Sequence, residues 1–175
     1  MLTVKVVDKK VTLVESELPK VNEDEMLVRM QSCGICGSDL EKVYGNYGMR
    51  SLRVGHEPAG VVIKVGKNLK KFQVGDRVFV HHHVSCYSCR YCLQGNYTMC
   101  NNYQTSNIEP CGLSEEFIVP KWNIEHGGVL KLPESISYDE AALIEPIACC
   151  IRVLNKISIK HGDNVAILGA GPTGV

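Results

Sequence analysis

The run CYSCRYCLQGNYTMC constrains the fold of this chain more than any other feature, because it places four cysteines within 15 residues. The pattern is C-x2-C-x2-C-x7-C, formed by Cys86, Cys89, Cys92 and Cys100. Two-residue gaps let successive thiolates point into one small volume, and four thiolates fill the shell of a structural zinc ion. The residues between them are too polar to form a core, so metal binding would supply the folding energy. A loop of redox-active or disulfide-bonded cysteines is the alternative interpretation.

Cysteine usage also bears on the cellular compartment. The chain has 9 cysteines in 175 residues, which in a secreted protein indicates disulfides. The odd number and the CxxC spacings favour metal binding in a reducing compartment instead. The N-terminus, MLTVKVVDKK, lacks the continuous apolar core of a signal peptide. We therefore predict a cytoplasmic protein.

The charge balance argues against two classes of partner. The chain has 19 basic and 19 acidic residues, so electrostatics favours neither nucleic acid nor an anionic membrane surface. No apolar run approaches the length that spans a bilayer. We expect no nucleic-acid partner and no membrane association. The length suffices for one full domain and part of a second.

The first 120 residues predict a mostly β domain. Short segments that alternate or are rich in β-branched residues are separated by turn residues, which is typical of a β-barrel or sandwich. The predicted strands are TVKVV, VTLVE, MLVRMQS, GVVIKV, DRVFVH and EEFIVP.

A helical pattern begins near Tyr138 and continues to about Leu154. Ser137 is a candidate N-cap before an acidic first turn. Pro146 should kink this helix or lie in the first turn of a new one. Cys149 and Cys150 are interpreted as small buried helix residues.

A glycine motif ends the sequence. Asn164–Leu168 predicts a buried strand, and it leads into the G-x-G-x-x-G pattern of Gly169, Gly171 and Gly174. This pattern after a strand is typical of dinucleotide-binding domains, although it is weak evidence alone. We expect residues 1–155 to form one domain and residues 156–175 to begin a second, truncated one. The chain would then be the N-terminal part of a longer enzyme.

Together the motifs closely resemble the zinc-dependent medium-chain dehydrogenase/reductase (alcohol dehydrogenase) family, nearest its sorbitol and threonine dehydrogenase branch. They occur in order along essentially the whole chain: CGICGSD, GHEPAGVV, GDRV, the four-cysteine lobe, IEP and GAGPTG. The resemblance implies a GroES-like β-barrel catalytic domain followed by the first strand and glycine-rich turn of a Rossmann α/β domain. It also implies hydride transfer between an alcohol and NAD or NADP, with two zinc ions per chain and assembly into dimers or tetramers.

A second set of metal-ligating residues has a different composition. A zinc ion that activates a hydroxyl needs three protein ligands and one open position. Cys36 and His56 offer a thiolate and an imidazole, and either Glu57 or Glu145 offers a carboxylate. By resemblance, Cys36, His56 and Glu57 are catalytic zinc ligands, and Glu145 binds the metal or its water. His56 could instead be a core histidine, and Glu57 could pair with Arg53 or Arg77.

Proton removal is assigned by resemblance to Ser38. Its alternative role is to cap the following helix, in competition with Asp39. Many relatives carry a histidine five residues after the first cysteine ligand, where this chain has Glu41. The sequence therefore does not determine which residue would carry the proton from Ser38 to solvent.

Other candidates receive weaker roles. His81, His82 and His83 are interpreted as strand-end residues beside the lobe, without a metal role. Cys33 is interpreted as a strand residue that packs inward. Candidates for lining a substrate pocket are Tyr44, Tyr47 and His82.

The function that these features predict is oxidation of an alcohol or polyol, in particular a secondary alcohol, or the reverse reduction of a carbonyl. A non-catalytic zinc-binding module and a catalytically inactive fragment are the alternatives. The sequence does not decide between NAD and NADP.

Overall fold

The protein is described by a computed structural model covering residues 1–45 and 53–174. Seven strands are present in the described residues, and six of them coincide with the segments predicted from sequence. They are β1 (Leu2–Val7), β2 (Lys10–Glu15), β3 (Met26–Gly34), β4 (Glu57–Val65), β5 (Arg77–Val80), β6 (Glu116–Val119) and β7 (Val129–Lys131).

The helices are short, except for the one that ends the regular structure. They are α1 (Gly37–Tyr44), α2 (Arg90–Leu93), α3 (Asn101–Thr105), α4 (Lys121–Glu125), α5 (Tyr138–Ala142) and α6 (Ile144–Ile157), with a 3-10 helix at Tyr97–Met99.

Five strands form one antiparallel sheet in the order β6-β3-β4-β5-β7, and β1 and β2 form a separate hairpin. The hairpin turns at Asp8 and Lys9, whose φ angles of 48° and 60° are typical of a type I′ turn. β3 lies between β4 and β6, and its pairing with β4 reaches Gly34 opposite Glu57. This pairing brings the end of β3 beside the start of β4.

The core lies on one face of the five-stranded sheet. Alternate residues of β3, Met26 and Val28, are fully buried there, as the strand period of two requires. Phe117 and Val119 of β6 continue the same cluster, and Phe72 packs into it from a loop. Burial of such side chains stabilises the fold by about 1.5–3 kcal/mol each.

Ser137 is the N-cap of α5, as predicted. Its Oγ accepts a hydrogen bond from the Glu140 amide at 3.2 Å, and the Glu140 carboxylate accepts one from the Ser137 amide at 2.8 Å. This reciprocal pair is a capping box. Pro146 is the third residue of α6, which starts anew after α5, so the second of the two predicted outcomes is confirmed.

The predicted burial of Cys149 and Cys150 is wrong. Cys149 is exposed and Cys150 is half-buried. The physical reason is that none of the residues of α6 is buried, because no described element covers its outer face.

The strand predicted at Asn164–Leu168 is also absent. Residues 163–170 have no regular structure and are exposed. A strand needs a neighbour to pair its amides and carbonyls, and in the described residues nothing pairs with this segment. The dinucleotide-binding domain therefore stays a prediction. Among the described helices, none combines the length and apolarity needed to cross a membrane.

Candidate metal centres

The four cysteines of the lobe, defined as residues 86–100, converge in the structure. All four sulfur atoms lie within 4.8 Å of one another. The separations are 4.0 Å for Cys86–Cys92, 3.5 Å for Cys89–Cys92 and 3.6 Å for Cys86–Cys100. A tetrahedral shell with Zn–S bonds of about 2.3 Å places its sulfur atoms about 3.8 Å apart. The lobe therefore fits a zinc ion closed to other ligands, and all nine cysteines of the chain are free thiols rather than disulfides.

The backbone of the lobe prepares its sulfur atoms for metal binding. The Cys89 amide donates to the Cys86 sulfur at 3.3 Å, and the Cys86 amide donates to the Cys100 sulfur at 3.4 Å. Hydrogen bonds from the backbone and side chain of Ser88, with that of Cys89, lower the pKa of Cys86 to about 6. Metal ligation needs the thiolate, which these hydrogen bonds favour at Cys86, whereas burial raises the pKa of Cys92 to about 12.

The second candidate centre lies where β3, α1 and β4 meet. Cys36 is the N-cap of α1, His56 directly precedes β4, and Glu57 is the first residue of β4. Their donor atoms lie within 4.8 Å of one another. His56 and Glu57 are buried, and Cys36 is half-buried. These residues are named below the Cys36–His56–Glu57 cluster.

A glycine makes room for the carboxylate of this cluster. Gly34 is opposite Glu57 in the β3–β4 pairing. A Cβ atom at Gly34 would lie 1.8 Å from Oε2 of Glu57, so the Glu57 side chain occupies the space that any other residue would need. Pairing of the strands and the missing side chain together direct the carboxylate toward Cys36 and His56.

Asp39 orients the histidine of the cluster. Its Oδ1 lies 3.4 Å from His56 Nδ1 and accepts from the Gly55 amide at 3.0 Å, while Oδ2 accepts from the Cys36 amide at 3.2 Å. The other ring nitrogen, Nε2, lies 3.7 Å from Glu57 Oε1. A carboxylate behind a ligand histidine fixes its tautomer and ring direction.

The charges of Asp39 and His56 support each other. Burial acts to raise the pKa of Asp39, but the hydrogen bond and charge of His56, with the Gly55 amide, hold it at about 2. Burial acts to lower the pKa of His56, but its hydrogen bond and charge interaction with Asp39 raise it above the usual value. Sequence reasoning gave Asp39 only a capping role. The available signal was its position three residues after Cys36, which forms a capping box with that N-cap.

Glu145 lies near the cluster but is not one of its three members. It is the second residue of α6, and its Oε1 accepts a hydrogen bond from the Cys149 thiol at 3.2 Å. Burial raises the pKa of Glu57, the charge of His56 opposes this, and the charge of Glu145 adds to it. Glu145 therefore acts on Glu57 through its charge, whereas the donor atom of Glu57 lies within 4.8 Å of those of Cys36 and His56.

The alternative partners for Glu57 are occupied elsewhere. Arg53 forms an ion pair with Glu109. Arg77 donates to the carbonyl of Pro133 at 2.8 Å and to that of Ile136. Neither arginine is hydrogen-bonded to Glu57 in the described structure. Pairing with an arginine therefore does not account for the burial of the Glu57 carboxylate.

The remaining candidates lie around the cluster. Ser38 is the second residue of α1 and is half-buried. The His82 ring lies 5.1 Å from that of His56, and it is buried rather than open to a ligand. Tyr44 ends α1 with an exposed side chain. Tyr47 lies outside the described residues. Cys33 lies in β3 and is half-buried, and burial raises its pKa to about 12.

The histidine run follows β5, which ends at Val80, as a strand-end segment. His81 and His83 line a cavity of about 430 Å³ that Glu145 also lines. Burial lowers the pKa of His81, so its ring is neutral near pH 7.

Comparison with known proteins identifies the family. Residues 22–134 match the family described as the alcohol dehydrogenase GroES-like domain, which is more than half of the chain. The chain belongs to this family. Its zinc-dependent dehydrogenase members are the proteins that the sequence motifs resemble.

Individual relatives cover nearly all of this chain. Sorbitol dehydrogenase from Bacillus subtilis (strain 168) is 37% identical over 164 residues, covering 90% of this chain and 45% of that protein. Galactitol-1-phosphate dehydrogenase from Escherichia coli has a similar structure, with a TM-score of 0.80 and 28% identity, covering 99% of this chain and 50% of that one. A short chain alcohol dehydrogenase from Escherichia coli CFT073, solved with NADH, has a TM-score of 0.81 and 31% sequence identity. The match covers 99% of this chain and 50% of that one. The chain thus spans about half the length of the relatives it matches.

Proposed function

We propose that this chain is the catalytic half of a zinc-dependent dehydrogenase that transfers a hydride between an alcohol or polyol and NAD or NADP. The observation that carries the proposal is the Cys36–His56–Glu57 cluster. A thiolate, an imidazole and a carboxylate within 4.8 Å are three ligands of a catalytic zinc site, with the fourth position left for substrate. The names of the relatives, a sorbitol and a galactitol-1-phosphate dehydrogenase, support the polyol class.

The donor set of the cluster fits zinc. Its ligands are of the types that zinc accepts, and His56 presents Nε2 because Asp39 engages Nδ1. When bound there, zinc would act as a Lewis acid that makes the substrate hydroxyl easier to deprotonate. Cys36, His56 and Glu57 would hold the metal, and Asp39 fixes the orientation of the His56 ring.

The residues around the cluster receive complementary roles. Ser38, two residues after Cys36, accepts the proton of the hydroxyl and passes it toward solvent. Glu145, whose charge acts on Glu57, would supply a second carboxylate to the bound metal or to its water. The secondary hydroxyl of a polyol is the group we expect to react.

The other components follow from the same assignment. A second zinc, bound by Cys86, Cys89, Cys92 and Cys100, stabilises the lobe. Gly169, Gly171 and Gly174 contact the phosphates of NAD or NADP, a role supported by the relative solved with NADH. Nine free thiols fit the reducing cytoplasm, and we place the whole protein there as a dimer or tetramer.

The test is the zinc content of the purified chain, measured by inductively coupled plasma mass spectrometry. We expect two zinc ions per chain, one fewer in Cys36→Ser and one fewer in Cys89→Ser. Cys33→Ser is the matched control, because Cys33 lies three residues from Cys36 but outside both groups of ligands. Loss of zinc only in Cys89→Ser would contradict the catalytic site and favour a non-catalytic zinc module.

A further inference from the structure

The histidine run, residues 81–83, is the sequence motif to which the proposed function gives no role. Its middle residue lies beside the candidate metal centre, since the centroids of the His82 and His56 rings are 5.1 Å apart, with an angle of 46° between the ring planes. Aromatic rings at this distance are in packing contact. His82 therefore contacts a proposed metal ligand without being a member of the Cys36–His56–Glu57 cluster.

The His82 ring is confined by its neighbours. Only 8% of His82 and 7% of His56 is exposed. The His83 ring lies 3.8 Å from the His82 ring between centroids, at 39°. Protein interiors are close-packed, so a ring in contact with two other rings cannot turn unless they move as well. The orientation of the His82 ring is thus coupled to that of His56.

Asn123 fixes the backbone that carries the His82 ring. This residue is 0% exposed, and its Nδ2 donates to the carbonyl of His81 at 2.9 Å and to that of His82 at 2.8 Å. Gly128 strengthens the connection, because its amide donates to the Asn123 carbonyl and its carbonyl accepts from the His81 amide, both at 2.7 Å. The segment after α4 therefore holds the histidine run in place.

The other end of the run is held by Ser106. Nδ1 of His83 donates to the Ser106 carbonyl at 2.6 Å, and Oγ of Ser106 accepts from the Val84 amide at 2.7 Å. The residues before and after His82 are thus both fixed by hydrogen bonds. Nδ1 of His82 itself is buried and has no partner in the described structure. Packing of the ring, and not a hydrogen bond of this nitrogen, keeps His82 against His56.

This contact complements the hydrogen bond of Asp39. Asp39 Oδ1 lies 3.4 Å from His56 Nδ1, which fixes one atom of the imidazole. A single hydrogen bond still lets the ring tilt about that atom, and a packed neighbour restricts the tilt. The direction of Nε2, which lies 3.7 Å from Glu57 Oε1, therefore depends on both contacts.

From this arrangement we infer that His82 is a positioning residue of the Cys36–His56–Glu57 cluster, whose ring packs against His56 and keeps Nε2 of that imidazole aimed at the metal position. The inference rests on the proposed function, which makes His56 a zinc ligand. It gives the histidine run a role that requires neither ligation of the metal nor contact with substrate.

Chelator competition that resolves the two zinc ions tests the inference. His82→Ala should weaken zinc binding at the cluster about tenfold and leave the lobe zinc unchanged. His82→Phe should bind zinc nearly as tightly as the natural chain, because it keeps a flat ring of similar size. Val80→Ala is the matched control, since Val80 is fully buried two positions away but packs in the main hydrophobic core. It should lower stability without changing zinc affinity at the cluster.

Cadmium NMR supplies a readout that a purely structural role would not move. With cadmium in both centres, each centre gives its own signal, and the signal of the cluster reports the geometry of its ligands. His82→Ala should shift or broaden the signal of the cluster alone, whereas His82→Phe and Val80→Ala should leave both signals in place.

Three results would overturn the inference: an unchanged cluster in His82→Ala, the same loss in His82→Phe as in His82→Ala, or equal effects of His82→Ala and Val80→Ala on the cluster. Weakening of both zinc ions alike in His82→Ala counts with the third result, because it indicates general destabilisation.

The Cys36→Ser variant separates this inference from the proposed function. In that background, with zinc in the lobe, NMR detects the His56 Nδ1 proton that bonds to Asp39. Adding His82→Ala should speed exchange of this proton with water, and adding His82→Phe should not. A proton that depends on His82, in a chain whose zinc content does not depend on Cys36, would support the restraint on His56 and contradict the catalytic centre. Zinc that depends on Cys36, with a proton indifferent to His82, would support the centre and contradict the restraint.

Discussion

Nδ1 of His56 lies 3.4 Å from Oδ1 of Asp39, and both side chains are buried. Asp39 lies in the first turn of α1, and His56 is the residue that precedes β4, so this contact connects the helix to the strand. It also sets the direction of the imidazole nitrogen available to a metal.

Asp39→Asn should weaken zinc binding at the Cys36–His56–Glu57 cluster about 10- to 100-fold. An amide retains an acceptor for the Gly55 amide but loses the charge that orients and polarises His56. Chelator competition that resolves the two zinc ions measures this effect. Asp76→Asn is the control, because Asp76 is also hydrogen-bonded but faces Gln73 and Lys131. An equal loss of zinc from the lobe, or none from the cluster, would contradict the role of Asp39.

Gly60→Ala should lower the free energy of unfolding by about 1–3 kcal/mol. A Cβ atom at Gly60 would lie 2.2 Å from the carbonyl oxygen of Arg29 on the neighbouring strand, so β3 and β4 must separate. Gly37→Ala is the control, since a Cβ at Gly37 meets no heavy atom within 4 Å. Urea unfolding monitored by circular dichroism in excess zinc measures both variants. Equal midpoints would show that the β3–β4 approach is looser than the structure indicates.

Ser137→Ala should cost about 1 kcal/mol of stability, because it removes the N-cap hydrogen bond of α5. Loss of this cap should also weaken the packing of α5 on the sheet, since α5 contacts β3 and β4 and buries Ala141 and Ala142. Thermal unfolding of the zinc-loaded chain measures it. Asp139→Asn, which changes the neighbouring acidic residue but not the capping box, should cost less. A larger effect of Asp139→Asn would contradict this assignment.

The contribution of Asp76 should depend on pH. Burial acts to raise its pKa, but the Lys131 ammonium at 2.7 Å and the Gln73 amide outweigh burial and hold the pKa below the ordinary value. A carboxyl group with a lowered folded-state pKa stabilises the fold above its unfolded pKa of about 3.9, and the effect is lost as pH falls through the folded value.

Asp76→Asn should therefore be less stable than the natural chain at pH 7, by about 0.5–1 kcal/mol. The difference should shrink as pH falls toward 3. Urea unfolding of both proteins at pH 7, 5, 4 and 3 measures it, and zinc loss in acid affects both alike. A difference that stays constant with pH would contradict a charge-based contribution.

The sequence predicts the local elements well. Alternation in TVKVV or GVVIKV predicts a strand because one face of each segment must be buried. β7, with only three residues, is too short to show such a period. Asn164–Leu168 has the composition of a strand but no partner in the described structure, so its propensity alone does not produce one.

The lobe is predictable because its ligands are close in sequence, whereas the second centre depends on distant pairing. Sequence reasoning could not choose between Glu57 and Glu145, since the choice depends on Gly34 pairing with Glu57 across two strands. The contact of Asp39 with His56 is hidden for the same reason, because the two residues are 17 positions apart in the sequence.

The spacing of the ligands has a consequence for how the molecule acquires its metals. The lobe ligands lie between positions 86 and 100, so closing one short loop brings them together at low entropic cost. The cluster joins position 36 to positions 56 and 57, and its ligands meet only after β3 and β4 have paired. During refolding, zinc should therefore enter the lobe while the sheet is still forming, and the cluster should become competent last. The site proposed for chemistry would thus be loaded only in chains whose central sheet is already in register.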